Sequence, residues 1–374
     1  MTDAASEMLY PVMPIYLRTI GFSVLLIGIL EGLAEATAGI SKGYFGKLSD
    51  STGRRVPFVQ TGYALSALSK PMLALFVQPL WIFFARTMDR FGKGIRTAPR
   101  DAILSAEATP ETKGKIFGFH RSMDTVGAVI GPALALAYLY FHPKDYKTLF
   151  FIAFVPGLFS VLASFYLREK KNSTGPKGST AFFSFLGYWK VSPPVYRRLL
   201  VGLLVFTLVN SSDVFLLLRA KQSGLSDTAL IGVYIFYNLV YALAAFPAGI
   251  LGDKIGLKKI FVFGLVLFSI VYFGMAANPH LYFLLGLFLL YGFYAAATEG
   301  ISKAWITNIT DKNNVATAIG MYTGLQSVCT MLASSLTGLI WFRFGASIAF
   351  VTTATVTLLV GVYLLAIPKP GARQ

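Results

Sequence analysis

Apolar runs long enough to cross a bilayer follow one another along this chain, separated by short polar breaks. "VFGLVLFSIVYFGMAA" (262–277) and residues 345–367 show the pattern. About twenty apolar residues in a helix span a hydrocarbon core roughly 30 Å thick, whereas a bilayer-spanning barrel would give alternating segments of about ten. The runs predict twelve helices, at 1–18, 22–49, 56–77, 79–106, 112–140, 147–167, 196–220, 226–252, 258–277, 279–309, 314–342 and 345–367. The longest gap, 168–195, is rich in Lys, Ser, Gly and Pro and follows the sixth helix. It divides the chain into bundles at 1–167 and 196–374, and Phe182, Phe183, Phe185, Leu186 and Trp189 within it predict a short helix in the lipid interface.

Composition agrees with a polytopic all-α membrane protein: 55% of residues are hydrophobic, 13% are charged, and mean hydropathy is +0.63. The excess of 33 Lys and Arg over 17 Asp and Glu is spread over loops and helix faces, so it points to basic loops against anionic lipid rather than to nucleic acid. One set of connections carries Lys47, Arg54, Arg55, Lys113, Lys115, the basic residues of the central loop, Lys254, Lys258 and Lys259. The opposite set holds only Arg18, Lys144, Lys147, Lys221 and Arg343. The basic side is expected to be cytoplasmic, together with the central loop and C-terminus, in a bacterial inner membrane. Met1 is followed by Asp3 and Glu7 rather than by the basic region of a cleavable signal, and the short, acidic first helix reads as truncated at its start. The single cysteine, Cys329, excludes an intramolecular disulfide.

One helix breaks the apolar rule. "RTMDRFGKGIRTAPRD" (86–101) holds Arg86, Asp89, Arg90, Lys93, Arg96, Arg100 and Asp101. At about 100° per residue all seven fall within an arc of about 140°. The other face, with Phe84, Ala85, Thr87, Met88, Phe91, Gly94, Ile95, Ala98 and Ala102, is expected to meet lipid. Charge near the bilayer centre must line protein or a water-filled cavity, so Arg86 through Arg96 are candidates for cavity or ion-pair work. Arg100 and Asp101 are expected at the cytoplasmic rim. Acidic partners are in supply: Asp3 and Glu7 on the first helix, Glu31 and Glu35 on the second with Lys42 on the same stripe, and Asp124 on the fifth beside His120 and Arg121. A carboxylate in low dielectric is a candidate proton carrier, and His120 titrates in a useful range. In the second half Asn210, Ser211, Ser212 and Asp213 interrupt the seventh helix, and Glu299 and Lys303 are spaced to pair. No His-x3-His or Cys cluster suggests a metal, and no nucleotide or nucleophile motif suggests an enzyme; His120 with Asp124 offers a lipid-processing enzyme only as a remote alternative.

The two halves echo each other. "GKLSDSTGRR" (Gly46, Asp50, Gly53, Arg54, Arg55) matches "GILGDKIGLKK" (Gly249, Asp253, Gly256, Lys258, Lys259) at an offset of 203, and Gly118 matches Gly320 at 202. Here the chain resembles the major facilitator superfamily over essentially its whole length. Gly46, Asp50, Gly53, Arg54 and Arg55 fit that family's G-x-x-x-D-x-x-G-R-R/K loop motif. Gly118, Gly127, Gly131 and Pro132 fit its fifth-helix motif G-x8-G-x3-G-P, associated with antiporters, although Ala135 stands where a further Gly is expected. Arg86 resembles the arginine of R-x-x-Q-G-x-G, with Asp89 in place of Gln.

The resemblance implies two pseudo-symmetric six-helix bundles around a central cavity, alternating access, and a gate at Asp50 and its copy Asp253. The expected activity is secondary transport of a small solute by a monomer, as proton-coupled antiport or efflux, with the proton gradient as driving force and no bound cofactor. The alternative is a proton-driven importer or exchanger of an organic anion, metal chelate or metabolite.

Overall fold

The computed structural model describes residues 1–169, 181–225, 227–277 and 280–368, and among them every regular element is helical. The first predicted helix is two short ones, α1 (Thr2–Leu9) and α2 (Met13–Thr19). Then come α3 (Val24–Thr52), α4 (Val56–Leu75), α5 (Pro79–Ala106), α6 (Lys113–Phe141) and α7 (Tyr146–Ser164). The central loop carries a 3-10 turn, Ser184–Gly187, and α8 (Tyr188–Val191). The seventh predicted helix is broken into α9 (Pro194–Val209) and α10 (Val214–Gln222), as the polar run 210–213 requires. After it stand α11 (Asp227–Ile255), α12 (Leu257–Ala276), α13 (Leu281–Asn308), α14 (Val315–Phe344) and α15 (Ala346–Leu365).

Local chemistry sets the boundaries. Gly53 ends α3 with φ of 67°, a left-handed position that suits a residue without Cβ. Asp145 caps α7: its carboxylate accepts from Tyr138 Oη at 2.7 Å and Thr148 N at 3.3 Å. Those donors hold the Asp145 carboxyl below the usual carboxylate range.

Two compact units result. One comprises Met1–Leu104, Asp124–Lys190 and Asp311–Ser327; the other comprises Ser105–Met123, Val191–Thr310 and Val328–Gln374. The start of α6 thus belongs with second-half helices, and the start of α14 with first-half ones. In the first unit Met8, Leu9, Val12, Tyr16, Leu73, Ile82, Leu149 and Phe150 form a buried cluster, with Tyr16 edge-on to Phe150 at 4.9 Å. In the second, Phe206, Phe261, Phe268, Tyr272 and Phe350 do the same, with Phe206 edge-on to Phe268 at 5.3 Å. Large apolar side chains remain exposed, Leu80, Phe342 and Val362 among them. Eight spans among the described residues, α9 and α10 together counting as one, are long and apolar enough to cross a membrane, and a lipid environment accounts for that exposure.

The central loop differs in part from the expected interfacial helix. Residues 170–180 lie outside the described residues. Beyond them Phe182 and Phe183 are exposed, but Phe185 is buried against Gly43, and Lys47 Nζ donates to Ser184 O at 3.0 Å. This stretch is pinned to α3 rather than lying free in the interface.

Candidate functional site

The duplicated loop motif forms a helix latch twice. In the first unit Asp50, buried at the end of α3, accepts from Thr317 N at 2.7 Å and Thr317 Oγ1 at 2.9 Å in the first turn of α14. Its other oxygen takes Arg55 Nη2 at 2.9 Å. A carboxylate at a helix N-terminus satisfies unpaired amides and the positive end of the dipole together. In the second unit Asp253, at the end of α11, accepts from Gly114 N and Lys115 N, both at 2.7 Å, in the first turn of α6. The glycines are the sequence trace of this packing: a Cβ on Gly46 would overlap Ala316 O, and one on Gly249 would overlap Gly114 O. Likewise Gly320 lies on Lys42 O and Gly118 on Ala245 O, at 2.5 and 2.6 Å from a Cβ position. Each contact joins a helix of one half of the repeat to a helix of the other, the first through an amide, a hydroxyl and Arg55, the second through two amides.

Arg55 is the motif's working base. It is buried and also reaches Ala102 O at 3.5 Å and Lys312 O at 3.4 Å, whereas Arg54 is exposed. Glu169 completes the first latch by accepting from Arg55 N and Val56 N, both at 2.9 Å.

The face of α5 opposite its charged stripe is packed rather than lipid-faced. Gly92 meets Gly62 and Ser66 of α4, Gly94 meets Ala38 and Ser41 of α3, and Ala85, Ile95, Ala98 and Ala102 are buried. The expected lipid face is therefore corrected: its small residues admit neighbouring helices, and of the residues named for it Phe84 alone is exposed. Asp89 is enclosed by Lys70 Nζ at 2.5 Å and Arg86 Nη1 at 3.7 Å, and Lys70 also reaches Ser6 Oγ at 3.2 Å. Arg96 donates to Ser66 Oγ at 2.8 Å and lies over the Tyr63 ring at 5.0 Å. Arg100 and Asp101 are not at a solvated rim. Asp101 is fully buried and takes Arg100 Nε and Nη2 at 3.1 and 3.0 Å, so pairing replaces snorkelling.

The remaining acids gather around that stripe. The carboxyls of Asp3 and Asp124 lie within reach of one another, with Arg96, Arg100 and Lys93 around them. Gly127 and Gly131 make this possible: a Cβ on either would stand 2.9 Å from Ala4 N or 2.8 Å from Met8 N, so α1 lies directly on α6. Glu7 and Glu35 are within electrostatic reach of Lys93, and Arg90 Nε lies 3.7 Å from a half-exposed Glu35. The side chain of Glu31 is outside the described residues. Lys42 reaches Ser327 Oγ at 3.1 Å. Pro132 sits inside α6 one residue beyond Gly131.

In the second unit Glu299 pairs with Arg121 at 3.2 Å. Arg121 also donates to Tyr241 Oη and lies over that ring at 5.6 Å, with half-buried His120 preceding it. Asp213 takes Tyr237 Oη at 2.5 Å and Tyr291 Oη. Sequence reasoning missed Lys70, Glu169 and Tyr237. A lysine inside the apolar run "ALSALSKPMLAL" was the one available signal.

With this geometry in view, comparison with known proteins is direct. The family model for the Major Facilitator Superfamily matches residues 1–238 and 219–374. An uncharacterized MFS-type transporter of Methanocaldococcus jannaschii is 32% identical, over 98% of this chain and 92% of the relative. The multidrug resistance protein MdtG of Proteus mirabilis is 25% identical, over 83% of this chain and 79% of its own. The crystal structure of the human organic anion transporter MFSD10 superposes with a TM-score of 0.81 at 16% identity, covering 97% of this chain and 96% of that one. Family model, repeat and fold agree: the chain belongs to the major facilitator superfamily, as an integral membrane transporter of small molecules and not an enzyme.

Proposed function

We propose that this chain is a proton-coupled antiporter that exports a small organic solute by alternating access between its halves, 1–167 and 196–374. The observation that carries the reading is the Asp3–Asp124 pair. Two carboxyls this close can share one proton, and losing it sets two like charges side by side. A solute with a basic group that binds the doubly ionised pair therefore competes with the proton, which is the thermodynamic core of antiport. Asp124 of the pair sits on the helix with the antiporter-type spacing Gly118, Gly127, Gly131 and Pro132, and a relative named for multidrug resistance supports export.

A second reading, proton-linked import of an organic anion, is favoured by Arg90 and Glu35. Protonating half-exposed Glu35 would release the Arg90 guanidinium for an anionic group. The positive balance of α5 taken alone overstates this preference, because Asp3, Glu7, Glu35 and Asp124 of other helices act on its cations.

The test is flux in proteoliposomes with a lumenal pH dye. Under antiport, solute and protons move in opposite directions, and Asp124→Asn abolishes pH-driven flux while solute counterflow persists. Proton coupling unchanged in both Asp3→Asn and Asp124→Asn would sink the assignment of the pair. Protons and solute entering together would favour the anion importer.

A further inference from the structure

The break between α9 and α10 exposes more oxygen than the fold uses. Over residues 210–213 the amide of Ser211 bonds Val209 O at 3.1 Å, that of Ser212 reaches Ser334 Oγ at 3.3 Å, and that of Val214 reaches Ser212 Oγ at 3.4 Å. In an uninterrupted helix these amides would serve the carbonyls of Thr207, Leu208 and Asn210, which thereby lose their regular donors. Side chains add to the surplus. Asn210 Oδ1 is buried without a hydrogen-bond partner, and the hydroxyls of Ser211 and Tyr272, 3% and 0% exposed, have only each other. The Asn210 amide is fixed by its Nδ2, which donates to Tyr294 Oη at 3.0 Å and leaves Oδ1 for another partner.

Asp213 contributes the one carboxylate at the break. Hydroxyls from α11 and α13, Tyr237 and Tyr291, donate to its two oxygens and fix its plane, leaving lone pairs on each. Tyr272 of α12 neighbours Ser211 and lies within reach of the Asp213 charge, as does Tyr294 of α13. The other charged group acting on Asp213 is Glu299 of α13, itself paired with Arg121. The C-terminal end of α9 adds carbonyl dipoles of the same sign.

We infer that this break binds a monovalent metal cation of the sodium type, held by Asp213, Ser211, Asn210 and the released carbonyls of α9. The donors are all oxygens, which suits a hard cation, and one carboxylate balances one positive charge. Tyr237 and Tyr291 are positioning residues that hold the carboxylate. The site lies wholly within the second unit, so the inference stands apart from proton exchange at Asp3 and Asp124. Failure of that flux test leaves it intact, and its own failure leaves that reading intact.

The experiment is thermal unfolding of the purified full chain in detergent, in sodium, potassium and choline chloride at equal ionic strength and at two pH values. Expected is a saturable rise in Tm with sodium, lost in Asp213→Asn. In Ser211→Ala, which keeps the carboxylate and its tyrosines, the sodium concentration at half-effect rises by about tenfold or more. Identical curves in the three salts overturn the inference, as does a sodium response that survives Asp213→Asn. A response to choline equal to that of sodium assigns an organic cation and overturns it too. A rise with falling pH that is indifferent to sodium assigns a proton, with the same result. Should Asp213→Asn fail to fold, Ser211→Ala decides, and an unshifted sodium response there rejects the site.

Discussion

Lys70 and Asp89 meet at 2.5 Å with almost no solvent on either, and this pair decides how the charges of α5 divide. Their partners are internal: Arg86 completes the second side of Asp89, and Ser6 takes another donor from Lys70. A desolvated ion pair adds little net stability over an apolar replacement, yet removing one partner strands the other. Lys70→Met should therefore lower stability by about 3 kcal/mol or more, and adding Asp89→Asn to it should recover part of the loss. Thermal unfolding of the two variants in detergent checks this. If Lys70→Met is as stable as the parent and only flux is lost, Lys70 serves the solute and the structural role is wrong.

Helices were the legible level, because apolar length and polar breaks are properties of one segment read alone. The spans, the interruption at 210–213 and the repeat joining Asp50 to Asp253 all follow from local pattern. What α5 packs against does not, since the same glycines and alanines suit lipid or a second helix equally. Glu169 shows the limit: it caps α4 from a loop 113 residues beyond Val56, and no periodicity announces that. Nor does spacing show that Glu299 reaches Arg121, which lies 178 residues earlier. The packing reading of α5 makes a prediction at its own scale. A Cβ on Gly94 would lie 2.5 Å from Ser41 Cβ and 3.0 Å from Ala38 O, so Gly94→Leu must push α5 from α3 and should destabilise by about 1–3 kcal/mol. Gly286 on α13 has open space at its Cβ, and Gly286→Leu should change stability by no more than about 0.5 kcal/mol. Equal tolerance of leucine at both positions would mean that α3 and α5 are not in contact there.

For the molecule as a transporter, the duplicated latch matters most. Asp50 gathers three charge-assisted bonds, to Arg55 and twice to Thr317, and Asp253 gathers two, to Gly114 and Lys115. Alternating access requires that contacts of this kind form in one state and break in the other. Two latches made by equivalent residues of a repeat should then open in the same transition. Amide hydrogen exchange reports this without knowledge of the solute, because the amides of Thr317, Gly114 and Lys115 are the ones held. Losing the charge at Asp50 weakens bonds contributing about 1.5–3 kcal/mol each, which corresponds to a rise in exchange of about tenfold or more at the start of α14. Local fraying would confine that rise to Thr317 and its neighbours. If the latches close one common state, Asp50→Asn must also speed exchange at Gly114 and Lys115, and Asp253→Asn must speed it at Thr317. Because Asp50 makes more bonds and is more deeply buried, its variant should have the larger effect at both places. Exchange that rises only beside the substituted residue in both variants would reduce the repeated motif to a pair of helix caps and remove its claim to gating.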